Sequence, residues 1–460
     1  MMKRWEDRVF RSTLVGLAVV GMMGFGLAAP AGAASLEEVV RLALSTNPRI
    51  TALAKSREAI DQELRQARGQ YLPQLDVSTG FGVNRASNLT TKGLSSPSDQ
   101  KYLSRQEAQL QLVQRLFDGF ETDSQVERQK ARVTSAANRA AEDSEFLGLD
   151  VANVYLEVLR QRGLKELAAA NVAHHEKIIQ SLRDREKQGG GNIGDVTQAE
   201  GRLARARATA LQTENDLLDA EALYRRLIGE VAGSVSEPRP PLAHLPPTLD
   251  AALAGARVNN PSVRVFESDM LVAQREREAT DAAFYPKVNL EGGVTRNQDF
   301  DGISGPDRSY QAMVRLRWNL YRGGTDMAAR DTAFSRLSAA QAQRDNALLD
   351  AEEKMRHAWI SLGINKEKIG IYEKAIGFNQ DTLDTYRQQF ELLIRTLLDV
   401  LDAQNELFTS QSQLVVSRIN YLSASYRVLA VGGRLLPTLG AVPPEQATRA
   451  PASFGEQLFD

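Results

Sequence analysis

The stretch YQAMVRLRWNLYRG, residues 310–323, alternates apolar and polar side chains along its length. The apolar set occupies every second position: Tyr310, Ala312, Val314, Leu316, Trp318 and Leu320. Polar side chains occupy most of the positions between them: Gln311, Arg315, Arg317 and Asn319. A period of two over about ten residues predicts a β-strand with one apolar and one polar face.

The end of this stretch has a counterpart in the first half of the chain. LYRG at 320–323 follows LFDG at 116–119 by 204 positions (320 − 116), and DV at 399–400 follows DV at 195–196 by the same interval (399 − 195). Such self-similarity at a fixed interval indicates two diverged structural repeats. We expect them at residues 35–235 and 249–435, joined by a Pro-rich linker at 236–248 and followed by a C-terminal tail at 436–460.

Each repeat is predicted to contain a helix, two strands, a long helix and a shorter helix. The first helix of each repeat is expected to bend at an Asn-Pro pair, at Asn47 and at Asn260. The long helices fall in tracts without proline, which a helix interior does not tolerate. A helix of about 65–70 residues spans about 100 Å, and helices of this length need coiled-coil partners.

The N-terminus has the pattern of a cleaved Sec signal peptide, predicted at residues 1–34. A basic start, MMKRWEDRVFR, precedes a short apolar run, and Ala31-Gly32-Ala33 fits the rule for cleavage after Ala33 or Ala34. The sequence contains no cysteine that could carry a lipid. Since no later apolar run is long enough for a membrane-spanning helix, entry into a membrane would require a barrel.

Several classes of function are disfavoured. The net charge of −2 gives no basic face for nucleic acid, and the four histidines lack the spacing of a metal site or a catalytic triad. We therefore predict no enzyme activity, no metal and no cofactor. Gly189, Gly191 and Gly194 form a G-x-G-x-x-G pattern, but it lies between two helices and not after a strand. These glycines, and Thr396 in the second repeat, are instead predicted to form hairpin turns.

Four strands per chain leave two interpretations open. They could form a small soluble sheet, or several protomers could combine their strands into one membrane barrel, because membrane barrels start at about eight strands.

One interpretation of Asp399 is that it caps a helix. Thr396 and Asp399 have the spacing of a helix capping box, and Asn192 and Asp195 repeat that spacing.

The segment RTLLDVLDAQNEL at 395–407, followed by SYRVLAVGGRLL at 425–436, resembles the TolC family of outer-membrane export ducts. It is most similar to the outer components of type I secretion systems. The resemblance covers nearly the whole mature chain. It implies a mainly helical fold with a membrane β-barrel, in which a homotrimer shares a twelve-stranded barrel (three times four strands) above a coiled-coil tunnel.

The resemblance also implies roles at the periplasmic tip. Asp399 and Asp402 would line a constriction, and Arg395 would act as a latch by contacting Asp195. Phe390 stands where the family has a latch tyrosine, so the closed state would have fewer polar contacts. The alternative for Arg395 is a solvated turn residue.

The implied function is export across the outer membrane, within outer-membrane lipid. The implied partners are a periplasmic adaptor and an inner-membrane ABC transporter, with a secreted protein as the substrate. One alternative is a small-molecule efflux duct that works with a proton-driven pump. Another is a periplasmic coiled-coil scaffold that never enters the membrane.

Overall fold

The computed structural model describes residues 34–87, 102–188, 192–392, 394–451 and 453. The first half consists of α1 (Leu36–Thr46), α2 (Pro48–Gly69), β1 (Gln74–Asn84), β2 (Leu103–Phe117), α3 (Glu121–Lys187) and α4 (Ile193–Ile228). The second half consists of α5 (Leu249–Asn259), α6 (Pro261–Thr280), β3 (Lys287–Gln298), β4 (Pro306–Arg317), α7 (Thr325–Glu391) and α8 (Leu397–Val431). Two short helices follow, α9 (Leu435–Thr438) and α10 (Glu445–Thr448).

The two halves therefore share one order of elements, while the bounds of the repeats stay a prediction. Of the predicted signal peptide, residues 1–34, the described part of the chain includes Ala34 alone. Among the described helices, none combines the length and the apolar character needed to cross a membrane.

The Asn-Pro pairs explain how each repeat begins. Asn47 and Asn260 have extended backbones and cap the helices that follow, with proline at the first helical turn. The Asn260 side chain accepts from the Val263 N–H at 3.1 Å and donates to the Val431 carbonyl at 2.9 Å. Asn47 likewise donates to a carbonyl at the end of α4. The prediction of one bent helix was wrong, because the extended asparagine separates two helices.

The four strands form one antiparallel sheet in the order β1-β2-β3-β4. The register aligns Val77, Leu110, Val294 and Tyr310 in a row across the sheet. All four side chains are exposed, from 40% for Val294 to 74% for Tyr310. Within one chain, this apolar row is therefore uncovered. The last strand ends at Arg317, earlier than the alternation had predicted.

A tight turn connects β2 to the long helix α3. Asp118 accepts hydrogen bonds from the backbone N–H groups of Glu121 and Thr122, both at 3.0 Å, and so satisfies the start of the helix. Gly119 has a φ of +72°, and a Cβ at this position would lie 2.6 Å from the Cβ of Tyr285. The glycine of the LFDG motif is thus required by both backbone conformation and close packing.

The long helices α3 and α7 each have 67 residues, as predicted, and pack along α4 and α8. The main core lies midway along α3, where Tyr155 of α3 and Tyr426 of α8 are buried in one apolar cluster. The Tyr155 hydroxyl contacts the carbonyls of Ala34 and Ser236 and accepts from the Ser236 N–H at 2.9 Å. This contact fixes the start of α1 beside the start of the linker.

Candidate functional site

The candidate site lies where the long helices reverse direction. The first hairpin is the end of α3 with the start of α4 (residues 171–207), and the second is the end of α7 with the start of α8 (residues 379–410). A tip cluster of buried apolar side chains joins the two hairpins: Ile179, Leu182, Val196, Ala199, Leu397 and Leu401. The hairpins of one chain therefore form one packed unit.

Thr396 and Asp399 form the capping box at the start of α8. The Asp399 N–H donates to the Thr396 hydroxyl at 3.4 Å, and the Asp399 carboxylate accepts from the Thr396 N–H at 3.3 Å. The Thr396 hydroxyl also donates to this carboxylate at 2.8 Å. The hydrogen bonds from Thr396, followed by the charge of Arg395, hold the pKa of Asp399 below its usual value despite some desolvation. The capping interpretation of Asp399 is confirmed.

Arg395 is held within its own hairpin. Its Nη1 lies 3.8 Å from an Asp399 carboxylate oxygen, and its Nε donates to the Gln389 side chain at 3.0 Å. Its guanidinium lies 4.3 Å from the centre of the Tyr386 ring. Among the ion pairs of the described chain, Arg395 has none with Asp195. The predicted latch contact is thus not formed within one chain, because closer partners hold the guanidinium.

The turn of the first hairpin lies partly outside the described residues, which exclude Gly189 and Gly191. Asn192 caps α4 by accepting from the Gly194 N–H at 2.9 Å, and Asp195 lies in the first turn of that helix. Gly194 is therefore helical, and its prediction as a turn residue was wrong. The capping side chain of Asn192 begins the helix before Gly194.

Phe390 connects the two hairpins without a hydrogen bond. It packs against the tip cluster, and the guanidinium of Arg185 from the first hairpin lies 4.9 Å from the centre of its ring. A cation–π contact of this kind contributes about 0.5–1 kcal/mol at an exposed site. Phe390 thus contacts the opposite hairpin through its ring face.

Asp402 has a partner that the sequence analysis did not identify. Arg202 of α4 donates to the Asp402 carboxylate of α8 at 2.9 Å. The 204-residue interval contained a signal, because it aligns Arg202 with Glu406 and Gln198 with Asp402. At these two positions the first hairpin therefore carries a cation and no acid, whereas the second carries two acids, which is a pattern that permits an ion pair between them.

Three carboxylates follow one another along α8 and face a shallow groove of about 260 Å3. Asp399, Asp402 and Glu406 line it together with Asn379 and Tyr386 of α7. Within the described ranges, no group of three or more acidic or histidine side chains has the arrangement of a metal site.

A four-stranded antiparallel sheet at one end of paired long helices, with charged hairpins at the other, defines the protomer of an outer-membrane channel. The model of the outer membrane efflux protein family matches residues 39–230 and 252–434, and the chain therefore belongs to this family. The predicted TolC-type family, fold class and outer-membrane location are confirmed.

Individual relatives agree with this membership. The outer membrane efflux protein BepC of Brucella suis is 25% identical over 82% of this chain and 80% of its own length. The alkaline protease secretion protein AprF of Pseudomonas aeruginosa is 25% identical over 86% of this chain and 83% of its own. The crystal structure of VceC from Vibrio cholerae superimposes with a TM-score of 0.74 at 20% identity, covering 87% of this chain and 96% of VceC.

Proposed function

We propose that three copies of this chain form a duct through the outer membrane that is gated at its hairpins. The uncovered apolar row of the sheet carries this proposal. Val77, Leu110, Val294 and Tyr310 are exposed in a single chain, and β1 and β4 each have an unpaired edge among the described strands. Four strands are too few for a membrane barrel, whereas three copies supply twelve (three times four) and pair every edge.

The helical part also supports an assembly of several copies. On α7, the exposed residues Ile364, Ile371 and Phe378 recur at intervals of seven, and so do Leu211 and Leu218 on α4. Apolar residues at this spacing form the seam of a coiled coil. Neighbouring copies would cover these seams and complete a tunnel about 100 Å long.

The gate lies at the hairpins of the three copies. Asp399 and Asp402 would line its constriction, and stacked carboxylates select for cations. The proposed latch contact joins Arg395 of one copy to Asp195 of its neighbour, since Arg395 does not reach Asp195 within its own chain. Because Phe390 cannot donate a hydrogen bond, we expect a resting pore that leaks more than in relatives with a tyrosine.

The proposed substrate is a secreted protein, delivered by an ABC transporter and a periplasmic adaptor. The C-terminal segment SYRVLAVGGRLL and the relative named for alkaline protease secretion support this role. The alternative is small-molecule efflux with a proton-driven pump, supported by the relative named as an efflux protein. Membership of an outer-membrane family overturns the third expectation, a scaffold that never enters the membrane.

The first experiment tests the duct itself. The mature protein is purified from outer membranes, and its molar mass in detergent is measured by light scattering. Its conductance is then recorded in planar bilayers. We expect a trimer with a small resting current that rises in Arg395→Ala. Arg183→Ala is the matched control, because Arg183 pairs with Glu200 inside one hairpin at 2.6 Å. A stable monomer, or a folded trimer that never conducts, would contradict the proposal.

A second experiment separates the two transport roles. A strain that lacks this protein is compared with the same strain after complementation. The two are compared for the proteins in the culture medium and for tolerance of dyes and solvents. Loss of particular secreted proteins with unchanged tolerance supports protein export. Loss of tolerance with an unchanged set of secreted proteins supports efflux instead.

A further inference from the structure

Arg202 and Asp402 form the ion pair that joins the first hairpin to the second. Their N–O distance is 2.9 Å, and they lie 200 positions apart (402 − 202) on α4 and α8. Among the described residues, no other ion pair connects these two hairpins, since the remaining tip pairs lie within one hairpin. The pair lies beside the tip cluster, next to Leu401 in sequence and one helical turn from Ala199.

The surroundings of Arg202 direct it toward this carboxylate. Its side chain is 29% exposed, whereas that of Asp402 is 57% exposed. On the α3 side lies His175, which is buried and whose Nδ1 has no hydrogen-bond partner among the described residues. Burial, and then the charge of Arg202, lower the pKa of His175, which disfavours a second positive charge near the guanidinium. The counter-charge of Arg202 is therefore Asp402.

The repeat makes this pairing specific to unlike hairpins. At the two equivalent positions, the first hairpin has Gln198 and Arg202, whereas the second has Asp402 and Glu406. Two copies of the first hairpin would place Arg202 against the uncharged Gln198, and two copies of the second would place Glu406 against Asp402, which are both carboxylates. Only the contact between a first and a second hairpin brings opposite charges into register.

We propose that Arg202 is a positioning residue that sets both the charge and the closure of the constriction. It neutralises Asp402, so the ring of three Asp402 side chains has little net charge while the pairs are closed. It also binds the second hairpin to the first, and the hairpins cannot separate without breaking the pair. This proposal rests on the proposed function, because it requires Asp402 to face the channel lumen.

The test uses Arg202→Gln in the reconstituted full-length mature trimer. Glutamine keeps much of the length of arginine but removes its charge, so three carboxylates become unpaired. We expect a higher cation-to-anion permeability ratio, measured from the reversal potential in a salt gradient. We also expect a larger resting open probability. An exposed ion pair shifts an equilibrium about twofold, so three pairs in a trimer shift it about eightfold.

Matched variants separate charge from general damage. Arg207→Gln removes an arginine that pairs with Glu176 inside the first hairpin at 2.8 Å, and it should leave both readouts unchanged. Arg202→Gln combined with Asp402→Asn should keep the increased opening but lose the added cation selectivity. Exchanging the charges, Arg202→Asp with Asp402→Arg, should restore the wild-type open probability.

The outcomes distinguish this inference from the function on which it rests. A conducting trimer whose selectivity and open probability do not change in Arg202→Gln overturns the inference and leaves the duct intact. Equal changes in Arg207→Gln also overturn it, because the effect would then not depend on the contact between hairpins. Folded trimers that never conduct, in wild type and all variants, overturn the duct and the inference together.

Discussion

Replacing Asn260 by alanine tests how the second repeat is held together. Asn260 is 2% exposed, and its side chain serves two helix ends at once. It accepts from the Val263 N–H in the first turn of α6 and donates to the carbonyl of Val431, the last residue of α8. Groups at helix ends have no partner within their own helix. Alanine would leave both of these groups unsatisfied in a buried position.

The expected cost follows from these two contacts. Loss of an asparagine N-cap destabilises a protein by about 1 kcal/mol. The buried carbonyl of Val431 loses its donor, which costs a further 1–2 kcal/mol or so. Asn260→Ala should therefore lower the free energy of unfolding by about 2–3 kcal/mol per protomer. Asn260→Ser can keep the cap but cannot reach Val431, so it should lose about 1–2 kcal/mol.

The measurement is urea unfolding of the purified protein in mild detergent, followed by the helical circular dichroism signal. All variants are compared at one protein concentration, because assembly makes the midpoint depend on concentration. Asn47→Ala is the matched variant in the first half, where Asn47 is 9% exposed, accepts from the Arg49 N–H at 2.9 Å and donates to the Leu227 carbonyl near the end of α4. Its cost should be similar or somewhat smaller.

The reasoning is refuted if Asn260→Ala unfolds within about 0.5 kcal/mol of the wild type, the range of an ordinary surface substitution. It is also refuted if serine costs as much as alanine, because the cap would then contribute nothing.

Three further predictions concern the core and the hairpins. Tyr155→Phe removes the acceptor of the Ser236 N–H, and this amide should exchange with solvent about fivefold faster by hydrogen-exchange mass spectrometry, since such a hydrogen bond contributes about 1 kcal/mol. Burial lowers the pKa of His175, so the unfolded chain takes up a proton first as the pH falls through the ordinary histidine value of 6.5. The contribution of His175 to stability should therefore fall as the pH drops through this value, whereas the raised pKa of Glu145 acts in the opposite direction. The readout is the difference in thermal unfolding between the wild type and His175→Asn, and a difference that does not change with pH would exclude a contribution from His175. Phe390→Ala removes the contact with Arg185, so trypsin should cleave the hairpin tips about fivefold faster, whereas Phe390→Tyr keeps the ring and should be cleaved no faster than the wild type.

Much of the fold could be predicted because its signals are local. The proline-free tracts predicted the two long helices, and the period-two pattern ending near Leu320 predicted β4, although the strand ends at Arg317. The Asn-Pro pairs predicted a bend in the first helix of each half, whereas each asparagine separates two helices. Thr396 and Asp399 could be predicted as a capping box because both partners lie within one helical turn.

The candidate site was only partly predictable, since its contacts join distant parts of the chain. Asp402 was identified from its motif, but its partner Arg202 lies 200 positions away (402 − 202). The expected partner of Arg395 was Asp195, yet within one chain Tyr386 and Gln389 hold it instead. Residue types and spacing do not show which of several nearby groups a long, flexible guanidinium will contact.

Glu145 is the clearest case of a residue whose properties depend on contacts with a distant part of the chain. Nothing near it in the sequence distinguishes it from the other carboxylates of α3. The fold buries it, and it accepts from the backbone N–H groups of Leu435 and Leu436 at 2.6 and 3.3 Å. Burial outweighs these bonds and raises its pKa to about 7.

The helices, the strands and the family could be predicted from the sequence because periodicity, proline placement and motifs act over short stretches of chain, while the internal repeat stays a prediction. Which charges pair, which carboxylate is buried and which aromatic ring contacts the opposite hairpin followed only from the fold. Those outcomes depend on the packing of helices that are far apart in sequence, and the free energy of a charge depends on the neighbours and the water that packing leaves around it.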